Sequence, residues 1–196
     1  MDKPTSASPR LAPPGAGLPK PELLVARLIF GWHRWQATRE NAATLIVTER
    51  DRLLALARGL SVEAAARPTL ITRLPGMEDS SRNWSVFMTL EHLRIVNVEI
   101  AGAITLLAQS RVPVRVVSTA AVKPAAGIGP EVLAAFAQSC DTLAATVAGV
   151  ADLRTKSRYD HPWFGPLDAA GWHAMAGFHL RLHRKQVECI QTAWGK

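Results

Sequence analysis

The chain has 196 residues, 48% of them hydrophobic, which is enough to bury the core of one domain of ordinary size. Its formal net charge is +7, but acidic residues interleave with the basic ones and no run of five basic residues occurs, so the charge indicates a solvated surface and argues against nucleic-acid binding. No uncharged apolar run reaches the roughly 18 residues of a membrane span, so we expect no membrane-spanning segment.

Residues 1–20 contain five prolines together with Ser, Gly and Ala, and this composition predicts a disordered or loosely attached tail. The rest of the chain, 21–196, is predicted to form one domain. Its two cysteines, Cys140 and Cys189, lack the spacing of metal ligands and lie in helix-like stretches. Such thiols pack as small hydrophobic groups in a reducing compartment, so we expect a cytoplasmic protein without a disulfide framework.

The first helical stretch begins at Pro21, which suits the first turn of a helix because its missing N–H is not needed there. Apolar residues then recur at steps of three and four and predict one long helix over about 21–58. A helix of this length is unusual in a globular domain, so we expect a kink near Gly31 or Asn41. Gly59 is the predicted helix end.

Three further apolar stretches predict helices over about 84–109, 130–150 and 168–193. The segment 114–117 is the only short strand-like run, and we interpret it as loop. Four helices of about 20 residues or more predict an all-α four-helix bundle with long inter-helix loops. About 20 residues join the second and third helices, which is enough to cross the whole bundle and lets those two helices run parallel.

Two histidines, His179 and His183, lie four residues apart near the end of the fourth helix. On one helix face their Cβ atoms would be about 5–6 Å apart, close enough for both side chains to bind one metal ion. His92, in the second helix, is the third candidate ligand. Three neutral nitrogens with an open fourth position are typical of a catalytic metal. The alternative for the pair is two polar residues on a half-exposed helix face, and the alternative for His92 is a hydrogen-bonded residue of the core.

Glu99 follows His92 by seven residues and therefore returns to nearly the same helix face. We interpret it as a candidate catalytic residue that orients a ligand, serves as a fourth ligand or accepts a proton. The alternative is a partly buried glutamate paired with an arginine. An aromatic loop, 159–166, leads into the fourth helix, and its His161 is expected to wall the pocket.

Two motifs carry a family resemblance. The first is Trp84-Ser85 followed by Glu91-His92-Leu93, and the second is the run from His161 to Leu167 followed by Trp172, His179, His183 and Gln186. In this order they resemble the motifs of the DinB-like (YfiT-like) metalloenzymes. The resemblance implies an up-down-down-up four-helix bundle, often a homodimer, in which His92, His179 and His183 hold zinc or nickel.

The first functional hypothesis is a metal-dependent enzyme acting on a small-molecule substrate. The DinB-like family that these motifs resemble includes thiol-dependent S-transferases. An open coordination position on the metal would take a low-molecular-weight thiol or a water. We therefore expect an S-transferase or a hydrolase, with a pocket that includes Trp84, Trp163, Trp172 and Arg181. The alternatives are a non-catalytic, stress-related dimeric bundle and, because of the net charge of +7, a nucleic-acid-binding protein.

Overall fold

A computed structural model describes residues 10–195 of the chain. Six α-helices account for most of the described residues. The helices are α1 (Lys20–Gln36), α2 (Arg39–Arg58), α3 (Val62–Ala66), α4 (Val86–Ala108), α5 (Val132–Ala148) and α6 (Ala169–Trp194). Two small antiparallel sheets pair β1 (Thr69–Leu70) with β2 (Asn83–Trp84), and β3 (Tyr159–His161) with β4 (Gly165–Leu167).

The last three long helices lie where the sequence predicts them. Ser85 begins α4 and Asp168 begins α6, because each side chain accepts a hydrogen bond from the backbone N–H three residues later. The segment 114–117 is loop, as predicted. The aromatic loop before α6 is a β-hairpin, in which Gly165 adopts a φ of 69° that other residues rarely adopt.

The prediction of one long helix over 21–58 is wrong, because α1 and α2 are separate helices. The chain is extended at Ala37, and Thr38 starts the second helix. Thr38 and Asn41 form a capping box: the Asn41 N–H donates to Thr38 Oγ1 at 3.2 Å, and the Thr38 N–H donates to Asn41 Oδ1 at 2.8 Å. The interruption is therefore set by side-chain capping and not by glycine or proline.

The helix directions follow from the pairs of residues that join the long helices. These pairs are Glu49–Arg184 and Leu56–Gln191 between α2 and α6, Arg39–Val147 and Arg50–Asp141 between α2 and α5, and Ser81–Gln186 and His92–His179 between the α4 end and α6. Residue numbers rise together along α2 and α6, so these two helices are parallel. They run in opposite senses along α2 and α5 and along α4 and α6, so each of these pairs is antiparallel. The predicted all-α, up-down-down-up four-helix bundle is confirmed, with α4 and α5 parallel.

The buried face of α4 is mostly apolar, and Phe87, Leu90 and Ile104 are almost fully buried in the bundle core. Helix α1 lies outside the bundle against α6, and Phe30 is its one buried residue. Side chains of α1 fasten it to the hairpin and to the start of α6, since Arg27 Nε donates to the Trp163 carbonyl at 2.6 Å and Arg34 pairs with Asp168. Helix α1 thus covers one side of the bundle near α6.

The proline-rich segment before α1 is described from Arg10 onward. Its backbone contacts the loop before α4, because the Ala12 N–H donates to Asp79 Oδ2 at 2.8 Å and the Gly15 N–H donates to Glu78 Oε2 at 3.2 Å. The predicted disordered tail also includes residues 1–9, which lie outside the described residues. Within 10–195, no helix has both the length and the apolar character needed to cross a membrane.

Candidate metal centre

Three histidine side chains converge between α4 and α6. His92 comes from α4, and His179 and His183 come from adjacent turns of α6. Each offers one nitrogen to a group in which all such atoms lie within 4.8 Å of one another. The Nε2 atoms of His92 and His179 are 3.2 Å apart. His92 and His183 are buried and His179 is half-buried, so the group lies within the protein wall and not on its outer surface.

Hydrogen bonds to the other ring nitrogen fix the tautomers of two of these histidines. His92 Nδ1 lies 2.8 Å from the Val122 carbonyl oxygen, which can only accept, so His92 carries its proton on Nδ1. His183 Nδ1 likewise donates to Gln186 Oε1 at 2.6 Å, and Gln186 Nε2 donates to the Ser81 carbonyl at 2.7 Å. The Nε2 atoms of His92 and His183 are therefore unprotonated, as metal ligands require, and each carries a lone pair that a cation can bind.

The donor set fits a divalent cation. Two nitrogens that bind one zinc ion at 2.0–2.1 Å in tetrahedral geometry are about 3.3 Å apart, close to the 3.2 Å between His92 and His179. Burial lowers the pKa of His92 to about 4 and lowers the pKa of His179 and His183 well below the usual value. The three rings are therefore neutral near pH 7, which is the form that binds metals.

A cavity of about 560 Å³ opens beside the three histidines, all of which contribute to its lining. Its walls are mostly apolar, and Ile100, Met175 and Phe178 are among them. A cavity of this size and character accommodates a small organic molecule. Helix α1 forms part of one wall through Val25 and Ile29, so the helix outside the bundle closes one side of the cavity.

The four residues predicted to lie in the pocket do not all line the cavity. Trp163, Trp172 and Arg181 line the cavity, whereas Trp84 does not. The buried Trp84 ring instead packs against two of the imidazoles, with its ring centroid 5.1 Å from that of His92 and 6.1 Å from that of His183. Trp84 therefore helps to hold these two histidine rings in position without lining the cavity itself.

Glu99 lies on the cavity wall but not beside the histidines. Its side chain is 50% exposed, and Oε1 lies 3.4 Å from Arg115 Nη2. Seven residues return to the same helix face, but they also advance about 10 Å along the axis, which is too far for a shared ligand shell. The position thus agrees with the alternative of a glutamate paired with an arginine.

Sequence reasoning missed a polar corner of the cavity that Glu78 and Lys123 form. Lys123 Nζ lies 2.9 Å from Glu78 Oε2, and both side chains line the cavity. Glu78 lies in the segment 71–82 and Lys123 lies in the segment 109–131. Neither segment has the hydrophobic periodicity from which a buried position could be predicted. His161 lines the cavity, as the sequence suggests, and its Nδ1 accepts the Trp163 backbone N–H at 3.1 Å.

Comparison with known families identifies the group of proteins to which this fold and site belong. The sequence model of the DinB superfamily matches residues 45–187, which is most of the chain. The chain belongs to the DinB superfamily. The match begins in α2 and extends past His183, so the DinB region includes all three clustered histidines and excludes α1.

A solved structure similar to this DinB-superfamily chain is described as "TT2238, a four-helix bundle protein". The two share 24% sequence identity with a TM-score of 0.57, and the similarity covers 77% of this chain and 98% of the other. This likeness supports the fold alone. No curated protein matches the sequence.

Proposed function

We propose that this DinB-superfamily protein is a metal-dependent enzyme in which His92, His179 and His183 hold one divalent cation, zinc or nickel. The observation that carries the proposal is the convergence of three imidazoles on one point of a cavity wall, with hydrogen bonds that keep two Nε2 lone pairs free. Such a cation, with one position left open, lowers the pKa of a bound thiol or water.

The cavity supports a small-molecule reaction of one of two kinds. A low-molecular-weight thiol would make the protein an S-transferase, and a water would make it a hydrolase. In both cases the apolar walls exclude bulk water from the reacting atoms and hold the apolar part of the substrate. Both cysteines are free, which suits the cytoplasmic location that we propose for a thiol-using enzyme.

Elemental analysis of protein purified without a polyhistidine tag tests the metal site. We expect one divalent ion per chain in the wild type and none in the double variant His179→Ala/His183→Ala. His33→Ala is the matched control, because His33 packs against Phe178 and is not part of the cluster. An ion retained by the double variant, or no ion in the wild type, would contradict the proposal.

A transfer screen with several low-molecular-weight thiols tests the chemistry. Turnover that is lost on chelation and restored by zinc or nickel supports an S-transferase, and thiol-independent turnover supports a hydrolase. Metal binding without turnover of any substrate would instead favour the non-catalytic bundle. Strong, salt-dependent retention on DNA would favour the nucleic-acid-binding alternative.

We also propose that two copies of the chain associate through α1. Its outer face carries an apolar stripe in which each side chain is at least 60% exposed, formed by Leu24, Leu28, Trp32 and Trp35. Contiguous exposed apolar surface of this kind marks interaction sites. Sedimentation should give twice 21.2 kDa for the wild type and 21.2 kDa for Leu28→Arg. Val114→Arg, at a fully exposed loop position, should remain dimeric, and a monomeric wild type would refute the proposal.

A further inference from the structure

Lys123 is a mostly buried cation at the polar corner of the cavity. Its side chain is only 16% exposed, and Nζ lies 5.2 Å from the centre of the Trp84 ring. The same tryptophan packs against His92 and His183. The Lys123 charge therefore lies near the histidine cluster, and it contributes to lowering the pKa of all three histidines, for which burial is the main cause.

The surrounding loops hold this ammonium group in place. Nζ donates to Glu78 Oε2 at 2.9 Å and to Ser81 Oγ at 2.8 Å. The Glu78 carboxylate is itself fixed, since Thr119 Oγ1 donates to Oε1 at 2.7 Å and the Gly15 N–H donates to Oε2. An ammonium group has three N–H donors, and the described part of the chain supplies acceptors for two of them. Because Lys123 lines the cavity, an acceptor on a ligand bound there can take the third donor.

The charges of the corner also favour an anion. Glu78 balances Lys123, but nothing in the described lining next to the three neutral imidazoles would balance a divalent cation held by them. A divalent cation that faces a largely apolar cavity without a counter-charge therefore favours an anionic group in that cavity. A carboxylate suits this position, because it accepts a charge-assisted hydrogen bond from Lys123 with one oxygen.

We propose that the cavity binds a largely apolar molecule carrying one carboxylate, and that Lys123 binds this carboxylate directly. The inference rests on the proposed function in that it takes this cavity to be the substrate site. Lys123 thereby sets the charge preference of the site, while the apolar walls bind the rest of the molecule. Lys185 also lines the cavity but is exposed, so it contributes little to this preference.

Calorimetry with a matched pair of probes tests the inference. The probes are 4-phenylbutyrate and 4-phenylbutanamide, which share one carbon skeleton and differ in the terminal group, an anionic carboxylate or a neutral amide. Both are titrated at one ionic strength into wild type, Lys123→Met/Glu78→Gln and Lys185→Met, each in zinc-loaded and metal-free form. The double variant removes both buried charges together, so no unpaired carboxylate remains to unfold the protein, and thermal unfolding verifies its fold.

We expect the wild type to prefer the carboxylate to the amide, and the preference to fall roughly tenfold in Lys123→Met/Glu78→Gln. Lys185→Met should keep the preference within about twofold, as expected for an exposed charge. An unchanged preference in the double variant, an equal loss in Lys185→Met, or no saturable binding of 4-phenylbutyrate would each overturn the inference.

The metal-free titrations separate this inference from the metal proposal. A preference that depends on Lys123 in protein that fails to bind zinc would uphold the carboxylate site and refute the metal centre. Stoichiometric zinc binding at the histidines with no Lys123-dependent preference would uphold the metal centre and refute the carboxylate site.

Discussion

Replacing Gln186 with methionine removes the amide that links α6 to the loop before α4. The Gln186 side chain is fully buried, accepts from His183 Nδ1 at 2.6 Å and donates to the Ser81 carbonyl at 2.7 Å. Methionine has a similar length but makes neither hydrogen bond. The variant therefore leaves one buried donor and one buried acceptor without their partners.

The expected loss of stability follows from these two hydrogen bonds. Each buried polar group left without a partner costs about 1–3 kcal/mol, so the loss of two partners should lower the free energy of unfolding by about 2–6 kcal/mol. The His183 ring also loses the group that sets its tautomer and orientation. Loss of such a partner typically weakens metal binding about 10- to 100-fold, and we expect the zinc Kd of Gln186→Met to rise by that factor.

Urea unfolding of the metal-free protein measures the stability change, and competition with a chromophoric chelator measures the zinc Kd. Gln191→Met is the matched control, because Gln191 lies on the same helix, donates to the Leu56 carbonyl at 3.1 Å and is not part of the histidine cluster. It should lose about 1 kcal/mol of stability and keep its zinc affinity. A zinc Kd for Gln186→Met equal to that of Gln191→Met would refute the reasoning.

Further predictions concern acidity, packing and thiol reactivity. Burial lowers the pKa of His92 from 6.5 to about 4, so the stability contributed by the neutral ring is complete above pH 6.5 and is lost as the pH falls towards 4; a Tm constant over that range would disprove this. Gly177→Ala puts a Cβ 2.9 Å from Leu45 Cδ2 and should cost about 1–3 kcal/mol, whereas Gly102→Ala meets no described atom within 4 Å and should gain up to about 1 kcal/mol; equal chemical unfolding midpoints would contradict the packing argument. Burial raises the pKa of the Cys140 thiol to about 12, so mass spectrometry should find it unmodified by iodoacetamide at about pH 8 until the protein is unfolded, and rapid alkylation of the folded protein would be the opposite result.

Local sequence signals were sufficient for the helices that carry the site. The apolar periodicity of α4 and α6 and the capping side chains of Ser85 and Asp168 act within a few residues, so they can be read from the sequence. A kink near Gly31 or Asn41 was expected, and the structure has a full break at Ala37–Thr38, close to Asn41. The division of the chain into two separate helices was missed, although the capping box is also local. Thr38 and Asn41 lie between two amphipathic stretches whose periodicity reads as continuous, and that periodicity masked the cap.

The candidate site was predictable only in part. The histidine pair on α6 follows from a spacing of four residues, whereas His92 was a weak candidate by itself and joined the pair through the family resemblance; the structure brings the three together. The Lys123 and Glu78 corner could not be predicted, because it joins two loops that are distant in sequence and have no regular pattern. Glu99 shares a helix face with His92 but not its position along the helix axis, so its predicted catalytic role stays a prediction.

X-ray absorption spectroscopy at the zinc edge reports the ligands of the proposed metal ion. For zinc-loaded, tag-free wild type, we expect a shell of three imidazole nitrogens at about 2.0 Å and one further light atom, and one imidazole fewer in His92→Ala. A shell built from sulfur or carboxylate oxygen, or a spectrum of His92→Ala identical to that of the wild type, would contradict the proposed three-histidine site.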